Sequence, residues 1–245
     1  MRRLRMTLGY RGTHYAGWAS QPRRATVQGV VESALATTLG HPARATAAGR
    51  TDAGVHADGQ VVSFETSSTI TPDGVRQVLS HHLPDDVWVD DVAEAPSSFD
   101  ARRSARRRWY RYAIWRHATP ARQWRDRALV IRDPLDVSSM RAGARHLLGT
   151  HDFVTVVTSP SVRTSTSRNV FAADWLEVSQ DLLLFEIGAD AFLKQMVRTI
   201  VGSLLWVGSG RWSSTDFAQA LAAKDRRAAG PNAPAVGLTL HHIEY

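Results

Sequence analysis

The chain has 245 residues, of which 43% are hydrophobic, with no cysteine and a formal net charge of +7. This composition favours a folded globular enzyme of one or two domains, and it excludes disulfides, zinc–thiolate sites and thiol nucleophiles. No apolar run approaches the roughly 18 residues of a membrane span and the first residues do not form a secretory apolar region, so we expect a cytoplasmic protein without a membrane partner.

The first half of the chain alternates strand and helix patterns. Apolar residues recur at every second position from Leu4 to Tyr10, which predicts a half-buried strand, and a glycine- and proline-containing loop follows at residues 12–22. Thr26 and Gly40 are of the types that begin and end helices, so the apolar face between them predicts a helix. The other predicted elements of this half are strands at 61–64 and 87–92 and a short helix at 72–79.

The second half repeats this plan. The predicted elements are strands at 109–115, 170–178, 182–187 and 238–245, and helices at 137–148, 192–207 and 215–223, the first of them ended by Gly149. We therefore predict an α+β fold of two related mixed halves, residues 1–104 and 105–245, with a basic cleft between or across them.

Arginine supplies nearly all of the positive charge, since Lys194 and Lys224 are the only lysines among 30 cations. Ten arginines and one acid, Asp126, lie between Arg102 and Arg127, interleaved with tryptophan and tyrosine. Such a segment is compatible with a solvated edge strand. Guanidinium groups beside aromatic faces also stack on bases and bind phosphates, so the pattern favours a nucleic acid partner.

Residues 49–56, GRTDAGVH, are small and polar and contain two glycines, which predicts a loop. Asp52 in this loop is compatible with a structural Asx turn or with a catalytic carboxylate. The catalytic interpretation is supported by Arg50, two residues away, because its charge would lower the pKa of Asp52 and keep the carboxylate ionised. We expect His56 to be a surface or hydrogen-bonding residue. No spacing of ligands typical of a metal site is found, so no metal is predicted.

The GRTDAGVH octapeptide resembles the signature of the TruA family of tRNA pseudouridine synthases. Further similar segments occur in the same order along nearly the whole chain, although Arg11 and Ala19 replace the Asp and Gln that are common in the family. The segments are YRGTHYAGW (10–18), VQ (27–28), GQVV (59–62), LP (83–84), FDAR (99–102), RWYRY (108–112), AFLKQMVR (191–198), GSL (202–204), AAKDR (222–226) and GL (237–238).

The resemblance implies a role for each of four residues. Asp52 corresponds to the catalytic aspartate, Arg50 to a loop arginine near the target nucleotide, Tyr110 to a tyrosine that contacts the uracil ring, and Arg198 to a basic residue that pairs with the catalytic carboxylate. It also implies two pseudo-symmetric halves with antiparallel sheets, a homodimer across which tRNA lies, and isomerisation of uridines in the anticodon stem-loop. Because isomerisation neither consumes a reductant nor changes the composition, no cofactor is expected.

Two other functions remain open from the residues. One is an RNA-binding protein without catalytic activity, which would bind through the arginine-rich segment. The other is a nucleoside hydrolase, which would need a second carboxylate near Asp52 as general acid, with Asp58 and Asp100 as the candidates.

Overall fold

The computed structural model describes residues 1–158 and 165–245, which form two compact units. The first unit comprises Met1–Arg106 and Thr239–Tyr245, and the second comprises Arg107–Leu238. The division expected between residues 104 and 105 lies two residues before this one. The closing segment, which the sequence assigned to the C-terminal half, packs with the first unit.

The first unit is built on a sheet with strand order β4-β1-β3-β10. Its central strands, β1 (Arg2–Tyr10) and β3 (His56–Thr66), are antiparallel, and β4 (Val87–Ala95) is antiparallel to β1 on the other side. The short β2 (Thr46–Ala47) is antiparallel to β3, and β10 (Leu238–Glu244) runs parallel to it. The loop that contains Asp52 therefore leads directly into a central strand.

The predicted helix α1 (Val27–Leu39) and its two ends are confirmed. The Thr26 hydroxyl accepts a hydrogen bond from the Gly29 N–H at 3.3 Å, and Gly40 ends the helix with a φ of 75°. The second helix, α2 (Pro72–His82), begins as predicted and continues three residues further than expected. The two ends of α1 and the start of α2 were predictable because caps and an initial proline act within one turn of helix.

The described residues of the second unit form an antiparallel sheet with the order β5-β9-β8-β7, to which a short strand, β6, is added in parallel with β5. The α+β fold class is confirmed. The elements of this unit are β5 (Arg107–Trp115), β6 (Leu129–Val130), α3 (Val137–Arg145), β7 (Gly149–Asp152), β8 (Ser167–Glu177), β9 (Leu182–Ala189), α4 (Met196–Gly208) and α5 (Ser214–Ala222).

Two helix boundaries differ from the predictions. Helix α3 ends at Arg145 rather than at residue 148, because the backbone continues in tighter turns, such as the bond from the Leu148 N–H to the Arg145 carbonyl, and Gly149, with a φ of 96°, begins β7. Helix α4 begins at Met196 rather than at residue 192, because Gln195 has a left-handed φ of 61°. The apolar pattern of the sequence continues through both boundaries, so it does not predict where these helices end and begin.

None of the helices in the described ranges is long and apolar enough to cross a membrane.

Close packing against α4 makes the effect of Gly202→Ala predictable. A Cβ added to Gly202 would lie 1.8 Å from the backbone oxygen of Pro231. We expect the clash to lower the free energy of unfolding by about 2 kcal/mol or more, which exceeds the gain of roughly 1 kcal/mol in helix propensity. Urea denaturation followed by circular dichroism measures the change.

Gly29→Ala, on the exposed face of α1, is the matched control because its added Cβ would meet only the Thr26 hydroxyl, at 3.1 Å. We expect a change within about 1 kcal/mol for this variant. Equal stability of the two variants would contradict the close approach at Gly202.

Candidate active site

Asp52 lies in a turn between β2 and β3. Its backbone carbonyl accepts a hydrogen bond from the Val55 N–H at 3.1 Å, which closes the turn. Thr51 and Val55 are buried, whereas Asp52 is partly exposed. The turn is therefore anchored at both ends while the residue between them reaches solvent.

A buried polar network fixes the first part of this turn. The Gln60 amide donates to the Gly49 carbonyl at 2.6 Å, and its oxygen accepts from the Gly49 N–H at 3.3 Å. The Tyr10 and Thr51 hydroxyls are hydrogen-bonded at 2.8 Å, and the Gln60 amide also donates to Tyr10 at 3.4 Å. These side chains hold Gly49 and Thr51, the residues on either side of Arg50.

A second set of contacts comes from residues 12–18, the segment that follows β1. The Trp18 N–H donates to the Thr51 carbonyl at 3.0 Å, and the Gly54 N–H donates to the Tyr15 carbonyl at 3.2 Å. Together with the polar network, these bonds hold the backbone on both sides of Asp52.

Two glycines allow the segment of residues 12–18 to approach the Asp52 turn closely. A Cβ on Gly12 would lie 1.9 Å from the Val55 oxygen, and a Cβ on Gly17 would lie 2.7 Å from the Thr51 oxygen. Gly17 also has a φ of 101°, which side-chain-bearing residues rarely adopt. The glycines of the YRGTHYAGW segment are thus explained by the position of the Asp52 turn.

His56 is buried at the start of β3 and does not lie in the loop. Its Nδ1 accepts a hydrogen bond from the Gly12 N–H at 3.1 Å, so this nitrogen carries no proton. The prediction that His56 is a hydrogen-bonding residue agrees with this contact. The alternative prediction of a surface residue does not agree with its burial.

The charged groups of the turn lack partners within their own unit. Among the described residues of the first unit, none donates a hydrogen bond to the Asp52 carboxylate or forms an ion pair with it. Arg50 is exposed and lines a cleft next to the turn without pairing with Asp52. Both groups are available to a ligand.

Tyr10 remains neutral in this network. Burial raises the pKa of its phenol from the ordinary 10.0 to about 12, and the hydrogen bonds with Thr51 and Gln60 act in the opposite direction with smaller effect. The network therefore holds the turn without a charge that would compete with the Asp52 carboxylate.

The two candidate acids for a hydrolase have other neighbours. The Asp100 carboxylate accepts hydrogen bonds from the backbone N–H groups of Arg102 and Arg103, at 2.9 and 2.8 Å, which is the work of a turn cap. Asp58 lies beside Asp90, whose pKa is raised by burial and then by the charge of Asp58. The hydrogen bonds that Asp100 accepts from the backbone do not favour it as the general acid of a two-carboxylate hydrolase.

Tyr110 lies on β5 in the second unit, opposite Ile187 of β9, and is buried. Its ring packs edge-to-face against Phe192, with centroids 4.9 Å apart and an interplanar angle of 80°. Phe192 belongs to the four residues that were expected to begin α4 but precede it. The strand and Phe192 together restrict the orientation of the tyrosine ring.

Arg198 lies in the first turn of α4 and is half-buried. Its Nε donates to the Ala233 carbonyl at 2.7 Å, and its own carbonyl accepts from the Ala233 N–H at 2.9 Å. Burial raises the pKa of the nearby Tyr112 phenol, and the charge of Arg198 partly opposes this shift. Within the described part of the second unit, Arg198 has no carboxylate partner.

Two arginines and two tryptophans of the arginine-rich segment have structural partners. Arg111 pairs with Glu186 at 2.6 Å and Arg116 with Glu177 at 3.1 Å, and the aromatic rings of Trp115 and Trp124 pack in an apolar cluster. The strand is paired with β9 along its length, so it is not a solvated edge. Arg111 and Arg116 therefore contribute to the fold of the second unit.

The sequence predicts Asp52 as the catalytic residue but does not predict that the side chains of Tyr10, Thr51 and Gln60 hold its turn. The available signal was Gln60, which is a polar residue between apolar neighbours on a buried strand. A buried amide of this kind requires hydrogen-bond partners, and here they are found in the turn.

A family model described as tRNA pseudouridine synthase matches residues 7–102 and 144–245. The chain belongs to the tRNA pseudouridine synthase family. The matched residues include Asp52 and Arg198 but not Tyr110. The resemblance found in the sequence is confirmed, and the protein is an isomerase that converts uridine in tRNA to pseudouridine.

Curated relatives agree with this assignment over the whole chain. The chain is 43% identical to tRNA pseudouridine synthase A of Chloroflexus aurantiacus, with 100% of this chain and 89% of the relative covered. It is 42% identical to the corresponding protein of Azorhizobium caulinodans, with 100% and 95% covered. Among solved structures, an archaeal box H/ACA Nop10–Cbf5 complex matches 92% of this chain and 59% of that chain with a TM-score of 0.36 and 14% identity, which adds nothing to the assignment.

The hydrogen bond between Thr51 and Tyr10 makes a testable contribution to stability. Thr51→Val keeps the shape of the side chain and removes its hydroxyl, which leaves the buried Tyr10 phenol with only the longer bond to Gln60. We expect the free energy of unfolding to fall by about 1 to 2 kcal/mol. Guanidinium chloride denaturation measures this change.

Thr37→Val is the matched control, since Thr37 is exposed on α1 and its hydroxyl bonds only to the Ser33 carbonyl of the same helix. Its effect should remain within about 0.5 kcal/mol. If Thr51→Val were as harmless as Thr37→Val, the network would not hold the turn.

Proposed function

We propose that this enzyme isomerises uridines in the anticodon stem-loop of tRNA and that Asp52 is its catalytic nucleophile. The observation that carries the proposal is a partly exposed carboxylate that has no partner in its own unit, on a turn whose backbone is held on both sides. Fixed geometry is what nucleophilic catalysis requires, because the reacting atoms must be aligned before the bond forms.

The reaction rearranges bonds without a net change in composition. The bond from ribose C1′ to uracil N1 breaks, the base rotates, a bond from C1′ to C5 forms, C5 loses a proton and N1 gains one. Asp52 assists by attacking ribose C1′ or uracil C6 and leaving again later in the cycle. Abstraction of a ribose proton by the same carboxylate is the alternative route. No external reductant, oxidant or group donor enters this balance, so the proposal includes no cofactor and no metal.

The target uridine must leave its base stack before a carboxylate can reach it, at an expense of a few kcal/mol. Contacts with the extruded base and with the RNA backbone offset this expense. We assign contact with the uracil ring to Tyr110 and substrate binding to Arg50 and Arg198. The support is that the Tyr110 ring is fixed by Phe192, that Ala233 orients Arg198, and that Arg50 is exposed.

The proposal also includes a homodimer across which tRNA lies, and a cytoplasmic location. Both rest on the resemblance to the TruA family. The net charge of +7 is consistent with a polyanionic substrate.

Release of tritium from tRNA labelled at uracil C5 tests the role of Asp52. The wild-type protein should release tritium without an added cofactor, because the C5 hydrogen is lost in every turnover. Asp52→Asn should slow release on the order of 10³-fold or more while it retains tRNA binding. Asp58→Asn, the same chemical change six residues later in the chain, should release tritium at the wild-type rate.

Three results would contradict the proposal in different ways. Rapid release by Asp52→Asn would exclude the nucleophile, and loss of activity in Asp58→Asn as well would favour a pair of carboxylates. Tight tRNA binding by the wild type without any release would favour an RNA-binding protein. The anticodon stem-loop is tested with tRNA in which its uridines are replaced by cytidine, which should release no tritium.

A further inference from the structure

A cleft of about 540 Å³ lies beside the turn that carries Asp52, within the first unit. Ala19 and Ser20 line it after Trp18, Gln28 and Glu32 line it from α1, and Arg44 and Arg50 line it from the segment that leads into the turn. Ala19 is one of the two positions at which the chain departs from the family pattern.

The acidic and amide groups of the cleft are already used to hold its walls together. The Gln28 oxygen accepts from the Ser20 N–H at 3.0 Å, and the Gln28 amide donates to the Glu32 carboxylate at 2.9 Å. The same Glu32 oxygen accepts from the Ala45 N–H at 2.9 Å. The carboxylate thus serves the internal structure and does not pair with either arginine of the cleft.

Arg44 and Arg50 are both exposed, and neither forms a side-chain hydrogen bond or an ion pair with a described residue of the first unit. Other arginines behave differently, since Arg111 and Arg116 are paired with glutamates. Two guanidinium groups and one carboxylate line the cleft, so its net charge is positive. The planar donor arrangement of the guanidinium groups fits the oxygens of a phosphate group.

We propose that this cleft binds the phosphodiester backbone of the RNA strand next to the target uridine, and that Arg44 contacts a phosphate in it. The inference rests on the proposed function, because it takes the Asp52 turn as the place of the target nucleotide. Arg50 lies two residues from Asp52, so their Cα atoms are within about 7.6 Å of each other. A strand whose uridine reaches Asp52 passes this cleft with its neighbouring nucleotide.

An RNA strand is favoured over a free anion by the shape of the site. The cleft, at about 540 Å³, is larger than one phosphate group needs. The enzyme acts on tRNA, whose backbone supplies a series of phosphates at regular spacing. The cleft therefore extends substrate binding away from the reacting base, with no role in the chemistry itself.

The salt dependence of tRNA binding tests the contact directly. Dissociation constants are measured between about 50 and 200 mM salt on Asp52→Asn protein, so that no turnover occurs. In this background Arg44→Ala should raise the dissociation constant roughly three- to tenfold and reduce the slope of log Kd against log salt by about 0.7 to 1, because one phosphate contact is lost. Arg44→Lys should restore most of the slope, since it retains the charge.

Arg76→Ala is the matched control. It removes one positive charge from the same unit, but the Arg76 guanidinium is paired with Asp73 at 2.9 Å. This variant should retain the slope of the Asp52→Asn parent. In otherwise wild-type enzyme, Arg44→Ala should raise KM and leave kcat unchanged, because its effect is confined to binding.

Equal slopes and dissociation constants for Arg44→Ala and Arg76→Ala would overturn the inference. This failure is distinguishable from failure of the proposed function. If tritium release is lost in Asp52→Asn and Arg44→Ala binds normally, only the cleft assignment is wrong. If Asp52→Asn turns over normally while Arg44→Ala changes the slope, the nucleophile is wrong and the phosphate contact stands.

Discussion

The close packing of residues 12–18 against the Asp52 turn is the constraint on which the site of the first unit depends. Gly12 and Gly17 leave no room for a side chain at this contact, and the Thr51 carbonyl is held by the Trp18 N–H. From the other side, Gln60 holds both backbone groups of Gly49. Since β1 and β3 supply Tyr10 and Gln60, the sheet itself determines where the Asp52 carboxylate lies.

The structure separates the charges that stabilise the fold from those left for a ligand. Arg111 and Arg116 are neutralised by glutamates within the second unit, and Glu32 is used inside the first. The network under the turn is neutral, because burial raises the pKa of Tyr10 to about 12. Asp52 and the arginines of the cleft have no such partners in the first unit, which leaves their charges available to a ligand.

The sequence predicted those parts of the fold that depend on local signals. The caps of α1 are read from Thr26 and Gly40 because they act within one turn. The start of α4 could not be predicted, since the left-handed Gln195 lies inside an unbroken apolar pattern. Family motifs predicted Asp52 as the catalytic residue, but not the reason for its position, because Tyr10 is distant in sequence and meets the turn only through the pairing of β1 with β3. The acidic partners of Arg111 and Arg116 could not be predicted for a similar reason, since Glu186 and Glu177 lie on other strands.

We propose that the buried network holds the Asp52 carboxylate in the geometry that the reaction needs. Gln60→Met tests it most directly, because methionine has a similar shape and removes every hydrogen bond of the buried amide to Gly49 and Tyr10. The measurement is the single-turnover rate of uridine conversion with saturating folded enzyme, together with the dissociation constant for tRNA. We predict a rate at least about tenfold lower with little change in binding, because a small displacement of a reacting group has large effects on rate. A wild-type rate in folded Gln60→Met protein would contradict the claim.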